Sequence, residues 1–349
     1  MLHLHDNSRQ MRELALVMIY LSWLPWLTTV EAQGTGDAHL YAVIVSGGRN
    51  RLTNHERYWN DCAFIYRTLR QTYHIPQRQI TVLMSDGGMP EEDMLRNDGR
   101  GYESSPADLD GDGQPDVTHA ATRENLVSAM LSLSRRLTAD DHLFLFFIDH
   151  GGTTDRLSDS FVWLWNDERM EDYTLGSLLG LFQVASVNVL MGQCYSGGFI
   201  DNLMRHGLVM ATACRGDEQS WQSPDRPHDE FVYHWTCAVN GADADGNRII
   251  ADADGDGQVS MAEAFEYARS HDRAKETPQF ASWPEQLGEQ WTFAHADSGT
   301  LGVREVRSEE TGGDKPAGIW TISGIRRQDA NAHDVYIERR AGKVRKIVR

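Results

Sequence analysis

Cysteine is scarce in this sequence, with four residues in a chain of 349. Four are too few for a disulfide scaffold of this length, so the class of small, disulfide-stapled secreted domains is excluded. In an oxidising compartment Cys214 and Cys237 are the two that would pair, which would leave Cys194 as a free thiol. The spacing alone does not establish that bridge.

Positive charge is also in short supply. Lys and Arg total 33 against 51 Asp and Glu, which gives a formal net charge of −18. Such a chain repels phosphate backbones and anionic lipid, so neither nucleic acid nor an anionic membrane surface is expected as a partner. Much of the acidity is gathered in short Asp-rich segments, which points to cations instead.

Long apolar runs are missing too, because none reaches the roughly 20 residues that span a bilayer. A shorter run from Leu14 to Leu27 follows Met11-Arg12 and precedes Val30-Glu31-Ala32, where small residues suit a signal peptidase. We therefore predict a signal peptide at residues 1–32 and a mature chain without a membrane span.

What the sequence does contain is an alternation of buried strands and amphipathic helices. Apolar runs of strand length alternate with stretches in which apolar residues recur at helical spacing. The predicted strands are Leu40–Val45, Ile80–Met84, His142–Ile148, Val187–Met191 and Leu208–Thr212, and the predicted helices are Tyr58–Tyr73 and Arg123–Leu137. This order predicts an α/β fold with a mostly parallel central sheet flanked by helices.

Two motifs follow predicted strands at the point where each strand ends. His150-Gly151 comes directly after one strand, and Cys194 comes after another, before a Gly-rich turn. Ligands bind beyond the carboxyl ends of parallel strands, so both motifs are placed for chemistry. A thiol needs a neighbouring imidazole to become a good nucleophile. We therefore predict Cys194 as nucleophile, His150 as its acid and base, and the amide of Gly151 as part of an oxyanion hole.

These motifs resemble the legumain-like family of the caspase-related cysteine peptidases. In that family one apolar strand ends in His-Gly and a later strand ends in a Cys followed by Ser-Gly. The similarity covers roughly residues 38–240, since Tyr41–Gly47 matches the family's first strand and Arg57–Tyr66 its first helix. The resemblance implies a caspase-like three-layer sandwich and a secreted cysteine endopeptidase that acts on peptides or proteins through a thioester.

The resemblance also implies a specificity pocket. Arg57, Ser220 and Asp229 fall where family members that cut after Asn place an Arg, a Ser and an Asp, which suggests cleavage after Asn, and after Asp at acid pH. Two positions depart from the pattern: Gly192 replaces an acid, and His55 replaces an Asn that orients the histidine. If Arg57 instead pairs with a structural acid, Asp229 alone would favour Arg or Lys substrates.

An EF-hand pattern for calcium occupies residues 252–263. Every ligand position is filled, a glycine stands at the sixth position, and a helix follows. The predicted ligands are Asp252, Asp254, Asp256, Gln258 through its carbonyl, and Glu263. Asp108, Asp110 and Asp112 repeat the first half of the pattern, and we predict a second Ca²⁺ site there. A fragment at Asp243–Asn247 is weaker, because Arg248 stands at its glycine position. The expected role of the ions is structural.

Composition changes beyond about Asp297. The peptidase domain is predicted over residues 33–303, a charged, Gly-rich linker over 304–317, and a tail with alternating strand patterns over 318–349. That tail resembles the C-terminal sorting signal of the type IX secretion system of Bacteroidota. The resemblance implies passage through the periplasm to the cell surface or medium, with the secretion machinery as a partner.

Two further functions are compatible with the same residues. An acyl-enzyme resolved by an amine instead of water would make the chain a peptide ligase or transpeptidase, and exclusion of water near the thioester decides between the two outcomes. A catalytically inactive calcium-binding surface module is the remaining alternative. The presence of both Cys194 and His150 counts against that module.

Overall fold

The computed structural model describes residues 39–154 and 159–294, together with four backbone strands between residues 318 and 348. The chain divides into two compact units, Met1–Gly302 and Val303–Arg349. The predicted signal peptide at 1–32 and the predicted linker at 304–317 lie outside the described residues.

A six-stranded sheet forms the centre of the first unit. Its strands are β1 (Leu40–Ser46), β2 (Ile80–Met84), β5 (His142–Phe147), β9 (Ser186–Met191), β10 (Leu208–Thr212) and β11 (Gln279–Trp283). Their order across the sheet is β11-β10-β9-β5-β1-β2, and every neighbouring pair is parallel except β10 with β11. Near-continuous apolar strands suit such a sheet, because both faces are covered.

Helices cover both faces of this sheet. They are α1 (Glu56–Arg67), α2 (Arg123–Arg136), α3 (Asp172–Leu179), α4 (Ile200–Leu203), α5 (Glu230–Asn240), α6 (Met261–His271) and α7 (Leu287–Gln290). Successive side chains of a strand point to opposite faces. Ala42 and Ile44 of β1 accordingly pack with residues of α1, α5 and α6, whereas Val43 and Val45 pack with α2 and α3. The predicted α/β class with a mostly parallel, helix-flanked sheet is confirmed.

Smaller elements surround the sheet. An antiparallel three-stranded sheet follows β5 and consists of β6 (Gly151–Thr153), β7 (Ser160–Trp163) and β8 (Arg169–Glu171). Strands β3 (Met94–Leu95) and β4 (Tyr102–Glu103) pair as a hairpin. The predicted helix at 58–73 is observed as α1, which ends at Arg67, followed directly by a π-helical turn over Thr68–Thr72. No described helix is long and apolar enough to cross a bilayer.

The second unit contains a four-stranded antiparallel sheet. Its strands are β12 (Gly318–Thr321), β13 (Arg326–Arg327), β14 (Val335–Arg340) and β15 (Lys343–Val348), in the order β13-β12-β14-β15. The alternating apolar and polar residues of Val335–Glu338, within the predicted tail at 318–349, lie in β14.

Candidate active site

Two adjacent strands place the predicted catalytic residues. Strands β5 and β9 are parallel neighbours, and Phe147 pairs with Met191 in their register. His150 and Cys194 each lie three residues beyond this pair. Neighbouring strands are about 4.8 Å apart, so two chains that leave the sheet with the same offset arrive side by side. The register therefore brings the imidazole and the thiol to one point of the sheet edge.

The ring of His150 is oriented by a backbone carbonyl. Its Nε2 lies 3.0 Å from the carbonyl oxygen of Thr53. A carbonyl only accepts hydrogen bonds, so Nε2 carries the proton and Nδ1 is left as the acceptor. Burial lowers the pKa of His150, with Arg57 adding to the effect and the Thr53 carbonyl opposing it. The histidine is accordingly a neutral base at pH 7.

Aromatic rings enclose the imidazole on the side of α1. The ring centroids of His55 and Tyr58 both lie 5.4 Å from that of His150, in edge-on contacts. Burial, followed by Arg57 and His150, lowers the pKa of His55 to about 4. His55 therefore packs as a neutral ring, and the hydrogen bond that holds His150 comes from Thr53. Sequence reasoning missed this contact, because every residue has a main-chain carbonyl and the identity of residue 53 therefore does not indicate it.

Asp149 fixes the loop that carries the histidine. Its buried carboxylate accepts the backbone N–H of His150 at 2.5 Å and that of Gly48, in the turn after β1. Burial raises the pKa of Asp149 to about 8, opposed by these hydrogen bonds. An acid that ends a wholly apolar strand is the sequence signal that would have revealed this role.

The predicted nucleophile lies on a tight turn. Cys194 is half-buried, and the next residue, Tyr195, has a φ of +60°, which non-glycine residues adopt rarely and mostly at functional sites. The thiol lies 3.7 Å from the carbonyl oxygen of Ser220, and the Ser220 hydroxyl lies 3.8 Å from Sγ. The structure thus brings the predicted pocket residue Ser220 against the predicted nucleophile.

Glycines allow the loops that carry His150 and Cys194 to approach each other. A Cβ on Gly151 would lie 2.0 Å from the carbonyl oxygen of Cys194, so the backbones after His150 and at Cys194 are in direct contact. A Cβ on Gly192 would lie 2.5 Å from Cδ1 of Ile148 and 2.7 Å from Cγ1 of Val232. The acid that legumains carry at the position of Gly192 therefore has no room here.

Arg57 and Asp229 form an ion pair. The Nε of Arg57 lies 3.1 and 3.3 Å from the two carboxylate oxygens, and its Nη2 lies 2.8 Å from the Tyr58 hydroxyl. Their side chains are 14% and 8% exposed. Asp61 holds the backbone of Asp229 in place: one of its carboxylate oxygens accepts the N–H of Asp229 at 3.0 Å, and the other lies 2.7 Å from Nδ1 of His228.

The predicted EF-hand is pre-folded around its acids. The carboxylates of Asp252, Asp254 and Asp256 offer oxygens within 4.8 Å of one another. Glu263 accepts the N–H of Ala253 at 2.8 Å with one oxygen and that of Ser260 at 2.8 Å with the other, and so completes a capping box at the start of α6. The side chain of Gln258 accepts from Thr292, which agrees with a ligand role for its main-chain carbonyl only.

The second Asp-rich loop has a different cluster. Asp108 and Asp110 lie with Asp116, whereas the predicted Asp112 accepts the N–H of Gln114. Asp116 is buried and already accepts from the Tyr66 hydroxyl at 2.5 Å and from the N–H of Leu109 at 2.8 Å.

All four cysteines are free thiols. Cys214 lies 3.5 Å from the hydroxyl of Ser196, in the turn after the nucleophile, and burial raises its pKa to about 12. Cys237 lies on α5 and packs with Phe64. The pair Cys214–Cys237 is therefore not bridged, and Cys194 is the cysteine that is not buried.

Comparison with known proteins identifies the family. A model of the peptidase C13 family matches residues 40–281, well over half of the chain and inclusive of both catalytic loops and the EF-hand segment. No curated protein matches the sequence. Among solved structures, protein GSU0716 from Geobacter sulfurreducens is 13% identical, with 70% of this chain and 92% of that chain covered and a TM-score of 0.41. The chain belongs to the peptidase C13 family and is a legumain-like cysteine peptidase, whose substrates are proteins or peptides.

Proposed function

We propose that the chain is a secreted endopeptidase that cleaves after Asn, and after Asp at acid pH, with Cys194 as nucleophile and His150 as acid and base. The shared offset of these two residues from one register pair is the observation that carries the proposal. The carbonyl of Thr53, which fixes the imidazole tautomer, supports it.

Each group has one task in this mechanism. Nδ1 of His150 takes the thiol proton, and Sγ attacks the carbonyl carbon of the scissile bond. The N–H groups of Gly151 and Cys194 stabilise the oxyanion. His150 then gives its proton to the departing amine, which leaves a thioester on Cys194. A water molecule that loses a proton to His150 hydrolyses the thioester and regenerates the thiol.

The ion pair of Arg57 with Asp229 supports the choice of Asn. A side-chain amide has both a donor and an acceptor, and the pair together with the Ser220 hydroxyl offers a partner for each. The rival preference for Arg or Lys requires Asp229 to be uncompensated. Arg57 instead contacts both of its oxygens.

The test is cleavage of a fluorogenic peptide panel with Asn, Asp, Arg or Lys before the reporter. The full chain and its Cys194→Ala variant are assayed with calcium, and a mass-spectrometric readout with an added amine detects ligation. Cleavage after Asn that the variant lacks is expected. Turnover that persists in the variant removes Cys194 from the mechanism. Preference for Arg or Lys refutes the pocket, and transfer to the amine without hydrolysis assigns a ligase.

We also propose a structural Ca²⁺ ion in the loop at 252–263, and a second at 108–116. The grouped carboxylates of Asp252, Asp254 and Asp256 fit a hard cation that prefers oxygen ligands. Chelation is expected to lower thermal stability and activity together. Titration calorimetry of Asp254→Asn should show one high-affinity site fewer, whereas Asp245→Asn, on a neighbouring exposed loop, should bind as the parent chain. An unchanged melting temperature in chelator would refute a structural role for Ca²⁺.

Export through a periplasm to the surface or medium is proposed on the sequence of residues 1–32 and 318–349. The secretion machinery would be the partner of the tail. The test is expression in a bacterium with a type IX system, comparing the full chain with one that lacks residues 318–349. Appearance of both chains in the medium in equal amounts would refute a sorting role for the tail.

A further inference from the structure

Two successive residues after α6 hold the loop that carries Ser220. We call residues 215–223 the specificity loop and residues 272–277 the clamp segment. Glu276 in the clamp segment accepts the N–H of Trp221 at 2.8 Å. Thr277 donates its N–H at 3.0 Å and its hydroxyl at 2.9 Å to the carboxylate of Glu218. Ser220 therefore lies between two anchored residues.

The same anchors reach the nucleophile. The carbonyl of Glu218 accepts the N–H of Tyr195 at 2.8 Å, directly after Cys194. The carbonyl of Trp221 accepts the N–H of Glu230 at 3.1 Å, at the start of α5. A displacement of the clamp segment would consequently move Ser220 relative to the thiol that it contacts.

Glu276 has a second carboxyl group as its neighbour. The side chains of Asp272 and Glu276 each act on the pKa of the other. Oε1 of Glu276 and Oδ2 of Asp272 are buried and meet no N–H or O–H donor among the described groups. Two ionised carboxylates cannot bond to each other, but one proton between them satisfies both oxygens.

Negative charges around Asp272 and Glu276 favour the protonated form of these two carboxyl groups. Burial, followed by the charge of Asp272, raises the pKa of Glu276 to about 10, and Asp229 adds to the effect. Burial raises the pKa of Asp272 to about 6, and Glu230 adds to it. The thiol of Cys214 also faces Glu276 and is neutral at pH 7. Asp272 and Asp229 therefore oppose a negative charge on Glu276, and Glu230 opposes one on Asp272.

We propose that Glu276 is a positioning residue for the specificity loop and acts as a neutral carboxylic acid, accepting from Trp221 through Oε2 and donating its proton to Asp272 through Oε1. The effect of Glu276 on KM and kcat rests on the proposed function, whereas its effect on the position of the specificity loop does not. Loss of the proton would leave two adjacent buried anions and release the loop. Because folding raises the pKa, the stability that this proton contributes is complete below the unfolded pKa of about 4.3. That stability is lost as pH rises through about 10.

The test compares Glu276→Gln, Glu276→Ala and the exposed control Glu266→Gln. The amide of Gln keeps both hydrogen bonds and cannot ionise, whereas Ala removes both. KM and kcat for an Asn peptide are measured from pH 6 to pH 10.5, a range that includes the pKa of Glu276 at about 10. Hydrogen exchange at residues 216–223 is followed by mass spectrometry on the same proteins.

We expect Glu276→Ala to raise KM about tenfold with a smaller change in kcat, on the scale of one lost hydrogen bond, and to accelerate exchange at Trp221. Glu276→Gln should match the parent chain at pH 6 and retain its low KM at pH 10.5, where the parent has lost the proton and its KM rises. Unchanged exchange in the Ala variant overturns the positioning role, and a Gln variant that behaves like Ala overturns the neutral acid. A parent chain without turnover refutes the peptidase proposal alone, since the exchange data still decide the role of Glu276.

Discussion

Replacing Asp229 by Asn removes one negative charge from the proposed specificity pocket and preserves the shape of the side chain. Burial raises the pKa of Asp229 to about 7, with Asp61 adding to the shift and Arg57 opposing it. At pH 8 the carboxylate is ionised and neutralises Arg57. At pH 5.5 it is protonated, and the guanidinium is left without a counter-charge. The parent pocket thus becomes more positive as pH falls through about 7.

That change should control whether an Asp substrate is accepted. A substrate carboxylate about 5 Å from the charge of Asp229 experiences roughly 3 kcal/mol of repulsion at an effective dielectric constant of about 20. This corresponds to a factor on the order of 100 in kcat/KM. The ratio of Asp to Asn cleavage should rise by up to that factor between pH 8 and pH 5.5 in the parent. In Asp229→Asn it should be high at both values.

The assay uses two peptides that differ only in Asn or Asp before the cleaved bond. The control is Asp217→Asn, because Asp217 lies in the specificity loop with a side chain that is 61% exposed. Stability gives a second readout: the raised pKa means that the contribution of Asp229 is complete below about pH 4 and lost as pH rises through about 7. A selectivity ratio that still varies with pH in Asp229→Asn would refute the assignment.

Three further substitutions test the packing around the site. Gly151→Ala should lower kcat/KM by about 100-fold or more, because the added Cβ meets the Cys194 backbone. The added Cβ of Gly152→Ala meets the ring of Phe161 instead, so this control should lower kcat/KM less. Equal losses of kcat/KM in the two variants would contradict the role of the Cys194 contact. Gly192→Ala should cost about 1–3 kcal/mol in urea unfolding, and adding Ile148→Val, which removes the clashing Cδ1, should restore part of it. Thr122→Ala removes the side chain that accepts the Asn125 N–H at the start of α2 and should cost about 1 kcal/mol, which Thr122→Ser should not.

The central strands were predictable because a strand that is buried on both faces is a nearly continuous run of apolar residues in the sequence. Ile80–Met84 and Leu208–Thr212 coincide with observed strands, and β5 differs from its prediction by one residue. Strand β11 was missed, because Gln279–Trp283 is a half-exposed edge strand without a continuous apolar run. Helix α5 was also not predicted, since its buried polar residues interrupt the helical spacing of apolar residues.

The site was predictable where residue type determines the chemistry. His150 and Cys194 were predicted from motifs and Ser220 from the family resemblance, and the structure places Ser220 beside the thiol of Cys194. The supports were not predictable, since Thr53 acts through a carbonyl and Glu276 through a contact across 55 residues of chain. Such contacts depend on the folded path of the chain and leave no local pattern.

The register of β5 and β9 has an evolutionary consequence. The position of each proposed catalytic residue depends on main-chain hydrogen bonds, which any pair of apolar strands can form. Leu, Phe and Val within these strands can therefore exchange under selection for burial alone, while His150 and Cys194 keep their separation. A lineage with this arrangement is free to lose most of its sequence identity and retain its chemistry, so descent here is recorded in the spacing of strand ends more than in the residues between them.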